Sequence, residues 1–235
     1  MAILKVIEVL ANSNATKQTI NQLNKTLFTE NKITIIPNGI DIKSFDDLAY
    51  DKLYNSYNND FILGNLGRMV FQKNQDFLLD IAVELKKREL NFKILIGGDG
   101  GLKKEMILKI KKLKLENDVI LLGFINRPKD FMMSIDAFLL PSRWEGFGYV
   151  LAEAMLCEKP VVAFDISSNS QIIESGTNGF LTPFNNVSDF CDKIVYLYQE
   201  KDSRAKDLGE MGRLKIEKEF DSKLIQKKVM NYLLG

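Results

Sequence analysis

From about residue 60 the sequence alternates short apolar runs, rich in strand-forming residues, with longer runs in which apolar residues recur at helical spacing. That alternation leaves few folds open. A strand that is apolar on both faces must be covered on both, and helices inserted between successive strands do the covering. The expected class is therefore α/β, an open parallel sheet with helices on both faces. Strands are expected at Phe61 to Leu66, Phe92 to Ile96, Val119 to Leu122, Ala137 to Leu140, Val161 to Phe164 and Gly179 to Leu181. Phe77, Leu78, Ile81, Ala82 and Leu85 follow Lys73-Asn74 at helical spacing, with Asn74 or Asp76 as the helix-start cap. A second helix is expected from about Leu102 to Leu115, its inner stripe formed by Leu102, Met106, Ile110 and Leu113. Helices at roughly Ser203 to Phe220 and Ser222 to Leu234 are expected to pack outside the sheet.

The opening of the chain differs in kind. Lys5 to Asn12 reads as a closing strand, Ala15 to Leu27 as a helix and Ile33 to Pro37 as the first strand of the domain that follows. Residues 46 to 59, rich in Asp, Tyr and Asn, read as a surface excursion.

Composition removes several function classes. The 32 basic and 31 acidic residues leave a formal charge of +1, so no global field draws the protein toward nucleic acid, and any bound anion must be held locally. With no histidine in the chain, imidazole base chemistry and Ser-His-Asp triads are excluded, along with most zinc sites. Cys157 and Cys191 fit neither a disulfide framework nor a zinc knuckle and read as reduced core thiols of a cytoplasmic protein. The apolar stretch Ile3 to Leu10 is broken by Lys5 and Glu8 and is too short to span a membrane; it does not resemble a signal peptide. The lysines of the second helix, Lys103, Lys104, Lys109, Lys111, Lys112 and Lys114, would suit an acidic membrane surface, but Glu105 interrupts them and a solvated face is preferred.

Two constellations carry chemistry. Gly67-Arg68 ends one strand and Lys73 precedes a helix, and ligands of open α/β sheets sit at the carboxyl ends of strands, near helix N-termini. Arg68 could hold two phosphate oxygens at once and Lys73 could act as a point charge, together suiting a diphosphate; the plain alternative is surface charge on a loop. The second is Pro141-Ser142-Arg143-Trp144-Glu145-Gly146-Phe147-Gly148-Tyr149-Val150-Leu151-Ala152-Glu153-Ala154-Met155. Gly146 and Gly148 let the backbone approach a ligand closely, and Glu145 in the loop and Glu153 in the helix can bracket it. A carboxylate among the apolar neighbours of Glu153 needs a partner if buried, either a sugar or ribose diol or a neighbouring backbone group or lysine. Gly97-Gly98-Asp99-Gly100-Gly101 is a weaker sign, since it lacks the full dinucleotide fingerprint.

Taken together, Ile36-Pro37-Asn38-Gly39-Ile40-Asp41, Gly67-Arg68 with Lys73, Gly97-Gly98-Asp99-Gly100, Gly123-Phe124, Leu140-Pro141-Ser142 with Glu145-Gly146-Phe147-Gly148 and Glu153-Ala154-Met155, and Lys159-Pro160-Val161-Val162-Ala163 resemble the retaining family-four glycosyltransferases of the glycosyltransferase-B fold. The resemblance is close over about Ile33 to Pro183. It implies one Rossmann-like half of that fold, divided as residues 1–32, the tail of an N-terminal acceptor domain; 33–220, the nucleotide-sugar domain; and 221–235, a C-terminal helix. It implies a retaining hexosyltransferase in which Arg68 and Lys73 clamp the donor diphosphate, Glu145 sits beside the donor sugar and Glu153 contacts the ribose. The donor-binding set it implies is Gly67, Gly98, Glu145, Gly146, Phe147, Gly148, Tyr149, Val150 and Glu153, with catalytic roles for Arg68, Lys73 and Glu145 and with no metal and no cofactor.

The implied partners are a nucleotide-sugar donor and, through the missing domain, a glycan or lipid-linked acceptor such as a lipopolysaccharide or capsule precursor. No nucleic acid is expected. Peripheral contact with the inner face of a membrane and self-association are compatible with the resemblance. The sequence departs from the family at Ile166-Ser167-Ser168-Asn169-Ser170-Gln171, where a glycine-rich turn and a glutamate are usual, and at Glu158, where a glycine is. Three readings stay open: a donor half that transfers only with an acceptor domain, a non-catalytic or regulatory domain of the same fold, and a dinucleotide binder, the last disfavoured by its poor glycine fingerprint.

Overall fold

A computed structural model describes residues 9–23, 33–51, 60–166 and 168–234. In chain order its elements are β1 (Val9–Ala11), α1 (Asn14–Leu23), β2 (Ile33–Ile35), α2 (Ile42–Asp46), β3 (Phe61–Leu66), α3 (Asp76–Lys87), β4 (Phe92–Gly97), α4 (Lys103–Lys112), β5 (Val119–Gly123), α5 (Pro128–Met133), β6 (Ala137–Leu140), α6 (Tyr149–Leu156), β7 (Val161–Phe164), α7 (Asn169–Ile172), β8 (Phe180–Thr182), α8 (Val187–Gln199), α9 (Arg204–Glu219) and α10 (Ser222–Leu234). A single 3-10 turn, Phe71–Lys73, precedes α3.

Six strands form one parallel sheet in the order β5-β4-β3-β6-β7-β8. The direction in which successive strands are added reverses between β3 and β6, which makes the carboxyl ends of these two strands the topological switch point where open sheets bind ligands. Alternate residues of each strand enter opposite cores, as the two-residue period requires. Phe61 and Leu63 face the core under α3, α4 and α8, whereas Ile62 faces the one under α5, α6 and α9. No helix among the described residues is long and apolar enough to cross a membrane.

Several expectations change. Ile33–Ile35 does not lead into the large sheet; it pairs in parallel with Val9–Ala11 as a separate two-stranded sheet. Periodicity identifies a strand but not its partner. The parts of the expected opening strand and helix at residues 5–8 and 24–27 lie outside the described residues, as does 52–59 of the surface excursion. At the start of α3 neither Asn74 nor Asp76 caps: Gln75 holds the cap position without a side-chain bond to the helix, and Asn74 is left-handed at φ 52°. The Gln75 amide instead donates to the carbonyls of Gly67, at 3.3 Å, and Arg68, at 3.1 Å, tying the helix start to the end of β3. On α4 the inner stripe keeps Met106 and Ile110, but Leu113 is 41% exposed and Leu115, at 1%, takes its place after the left-handed Lys114 turns the chain inward. The same helix pairs Lys109 with Asp76 and Glu105, and Lys103 with Asp99.

The tail returns to the start of the domain. Ile40 donates to the Phe220 carbonyl at 2.8 Å and Ser222 donates back to Ile40 at 2.9 Å, so α10 begins against Gly39-Ile40. A Cβ on Gly39 would stand 2.6 Å from Ser222 Cα, and only glycine admits this approach.

Candidate donor-binding site

At the switch point two loops meet. The one after β3 carries Gly67, Arg68 and the turn that ends in Lys73; the one after β6 carries Pro141 to Gly148. They are fastened residue by residue. Arg143 N–H donates to the Gln72 carbonyl at 2.8 Å, the Gln72 amide donates to the Trp144 carbonyl at 2.9 Å, and the Arg143 guanidinium lies 4.3 Å from the centre of the Phe71 ring. The result brings Lys73 Nζ to 2.6 Å from Glu145 Oε1, with side-chain exposures of 19% and 6%. Residues distant in sequence and of opposite charge thus meet in one half-buried pair.

An open pocket of about 540 Å³ lies over this pair, lined by Gly67, Lys73, Glu145, Gly146, Phe147, Gly148, Tyr149, Val150 and Glu153, and also by Leu66, Asn12 and Asn38. Gly148 precedes α6 in the left-handed region at φ 72°, so the chain can turn abruptly from loop to helix there. Phe147 anchors the turn from beneath: it is buried against Tyr149, at 5.0 Å between ring centres, and Phe220, at 5.4 Å. Glu153 stands in the second turn of α6, and burial pushes its carboxyl up to about 7. It has no ion-pair partner among the described residues. Of the partners anticipated for it, neither a lysine nor a backbone group is paired with its carboxyl among the described residues.

Two anticipated residues stand apart. Arg68 is exposed and does not line the pocket, and its guanidinium has no partner among the described residues. Gly98 lies beneath, not within: its N–H donates to the Gly123 carbonyl at 2.6 Å, and a Cβ there would stand 2.0 Å from the Gly67 carbonyl oxygen. The glycines of that turn let it pack directly under the end of β3. At the family departures, Ser168 is buried with its hydroxyl 3.4 Å from the Glu145 carbonyl, supporting the loop from behind, while Ser167 lies outside the described residues. Glu158 adopts φ 55°, the left-handed conformation in which glycine is favoured.

Leu66, Asn12 and Asn38 are the pocket residues missed in the sequence. The two asparagines lie beyond the carboxyl ends of β1 and β2, a position that by itself does not set an amide apart from any other turn residue.

The family profile described as "Glycosyl transferases group 1" matches residues 47–215. The chain belongs to this family. Among curated relatives it is 30% identical over 217 residues to the poly(ribitol-phosphate) alpha-N-acetylglucosaminyltransferase of Staphylococcus aureus (strain COL), covering 90% of this chain and 44% of the relative. It is 34% identical over 208 residues to an uncharacterized glycosyltransferase of Methanocaldococcus jannaschii, covering 86% of this chain and 52% of that one. The chain thus spans about half the length of these curated family members. Among solved structures, Anabaena HepE in complex with UDP superposes with a TM-score of 0.84 at 26% identity, over 97% of this chain and 63% of that one. The family's glycosyltransferase-B architecture agrees with the Rossmann-like sheet expected from the sequence.

Proposed function

We propose that the chain is the donor half of a retaining family-four glycosyltransferase, which takes a nucleoside-diphosphate sugar and passes the sugar to a hydroxyl of a glycan or lipid-linked precursor. The observation that carries this reading is the meeting of Lys73 and Glu145 at 2.6 Å across the switch point, in one pocket with the Gly146–Gly148 turn and Glu153. Relatives named for polysaccharide synthesis and a structural neighbour holding UDP support it.

Glu145 pairs with the ammonium that a diphosphate would take. Donor binding transfers Lys73 to the phosphate oxygens and turns Glu145 toward the sugar hydroxyls, while Arg68 swings in from its exposed position as the second cation. The carboxylate of Glu153 accepts from the ribose diol. During transfer the sugar C1–O bond breaks with its electron pair passing to the diphosphate, whose charge Arg68 and Lys73 neutralise. A departing phosphate oxygen takes the proton of the acceptor hydroxyl, and the acceptor oxygen bonds C1 on the same face. Two side-chain cations and backbone N–H groups take the place of a metal in this scheme.

The proposed division keeps residues 1–32 with the acceptor side, 33–220 as the donor domain and 221–235 as the returning helix, with the pairing of β2 on β1 crossing the first boundary. The acceptor is held by the remainder of the enzyme, on the cytoplasmic face of the membrane. Calorimetric titration with UDP, GDP and NAD tests the reading: saturable binding of a nucleoside diphosphate is expected, weakened at least about tenfold in Lys73→Ala and in Arg68→Ala, as for loss of a charged hydrogen bond. Binding of NAD alone would overturn it.

A further inference from the structure

The donor pocket has a wall from outside the six-stranded sheet. Asn12 follows β1, Asn38 follows β2, and both line the pocket together with Lys73 and Gly146. The Asn12 amide is held in place. Thr16 Oγ1 donates to Asn12 Oδ1 at 2.7 Å, and Thr16 is itself fixed by Ser13 Oγ, which lies 2.9 Å from its hydroxyl and accepts its N–H at 3.0 Å. With its oxygen engaged on the α1 side, the amide presents its NH2 to the pocket. Nδ2 lies 4.0 Å from the point where a Cβ on Gly146 would stand, and among the described residues it has no hydrogen-bond partner.

We propose that Asn12 is a donor-binding residue whose N–H bonds an oxygen of the diphosphate, beside Lys73. The inference rests on the donor-pocket reading given above. The chemistry favours phosphate over a sugar hydroxyl: Asn12 Oδ1 is turned toward Thr16 on the α1 side, so the pocket meets the amide's N–H donors, and a hydroxyl read by donors alone leaves its own proton unpaired there. An anionic oxygen accepts only, and an amide NH2 beside the open space at Gly146 suits it. The absence of a side chain at Gly146 is then what keeps the path between amide and ligand open. The two-stranded sheet acquires a role by the same argument, because it carries a ligand contact and not merely a connection to another domain.

Asn12→Asp isolates the donor. It keeps the oxygen that accepts from Thr16 and replaces the pocket-facing NH2 by an anionic oxygen, so the local fold is retained while the contact becomes repulsive. UDP titrated into the whole chain is expected to bind at least about tenfold more weakly to Asn12→Asp than to the wild type, with a smaller loss in Asn12→Ala and with unchanged circular dichroism in both. If Asn12→Asp binds UDP as tightly as the wild type while Lys73→Ala has lost it, the role of Asn12 is overturned and the donor pocket stands. If the wild type binds no nucleoside diphosphate at all, both readings fall together.

Discussion

At the residue scale, Glu153 carries a measurable signature. Its carboxyl is raised from 4.5 to about 7 by burial, so ionisation is more costly in the folded chain than in the unfolded one. The stability this group contributes is fully present below pH 4.5 and is lost as pH rises through about 7. The loss is on the order of 3 kcal/mol at most, since each tenfold change in proton affinity is worth about 1.4 kcal/mol. Thermal melts of the wild type between pH 5 and 8 should therefore fall relative to those of Glu153→Gln; parallel curves would show that the carboxyl is not desolvated. A ribose diol donating to this group favours its charged form, so UDP binding near neutral pH should release protons, read as a dependence of binding enthalpy on the buffer. Lys73, Glu145 and Glu153 were legible in the sequence because a charge placed at a strand end or amid apolar helix residues needs an explanation. Asn12 was not, since an uncharged amide after a short strand looks like any turn, and what distinguishes it is Thr16 on one side and Gly146 on the other.

At the element scale, the turn from β4 to α4 shows how one signal can have two causes. A glycine-rich turn before a helix is compatible with phosphate binding, yet here Gly98 serves contact between two backbones: Gly67 N–H donates to Gly97 at 3.0 Å and Met69 N–H donates to Asp99 at 2.9 Å. Gly98 has φ 129°, and a Cβ would overlap the Gly67 carbonyl. Gly98→Ala should therefore cost about 2 kcal/mol or more, from strain and overpacking, which at about 2–4 °C per kcal/mol lowers the melting temperature by roughly 5 °C or more. Because the displaced segment leads to Lys73, UDP binding should weaken as well; an unchanged melting temperature would show that the two turns are not in contact. The strands of the large sheet were legible to within a residue or two, since each is mainly apolar and is followed by a turn signal or a helix. The cap of α3 was not, because Asn74 and Gln75 compete for the same place and the winner is decided by the carbonyls of Gly67 and Arg68 arriving from another element.

At the scale of the whole molecule, local pattern gave the fold class but not the strand order, for nothing in a run of apolar residues says which neighbour it will choose. The order matters because it puts the exits of β3 and β6 side by side, and only then do Lys73 and Glu145 share a pocket. That pocket is open, at about 540 Å³. Binding an anion there requires only cations and N–H groups. Transfer requires more: the acceptor hydroxyl must displace water beside C1, and the charge developing on the leaving diphosphate is stabilised best where water is excluded. The chain by itself should therefore bind UDP-sugar without passing the sugar on. Incubation with a radiolabelled UDP-sugar and a lipid-linked or polysaccharide acceptor should give product at no more than the rate seen with Lys73→Ala. Efficient transfer by the chain alone, abolished in Lys73→Ala, would mean that this chain itself holds the acceptor and excludes water from the site.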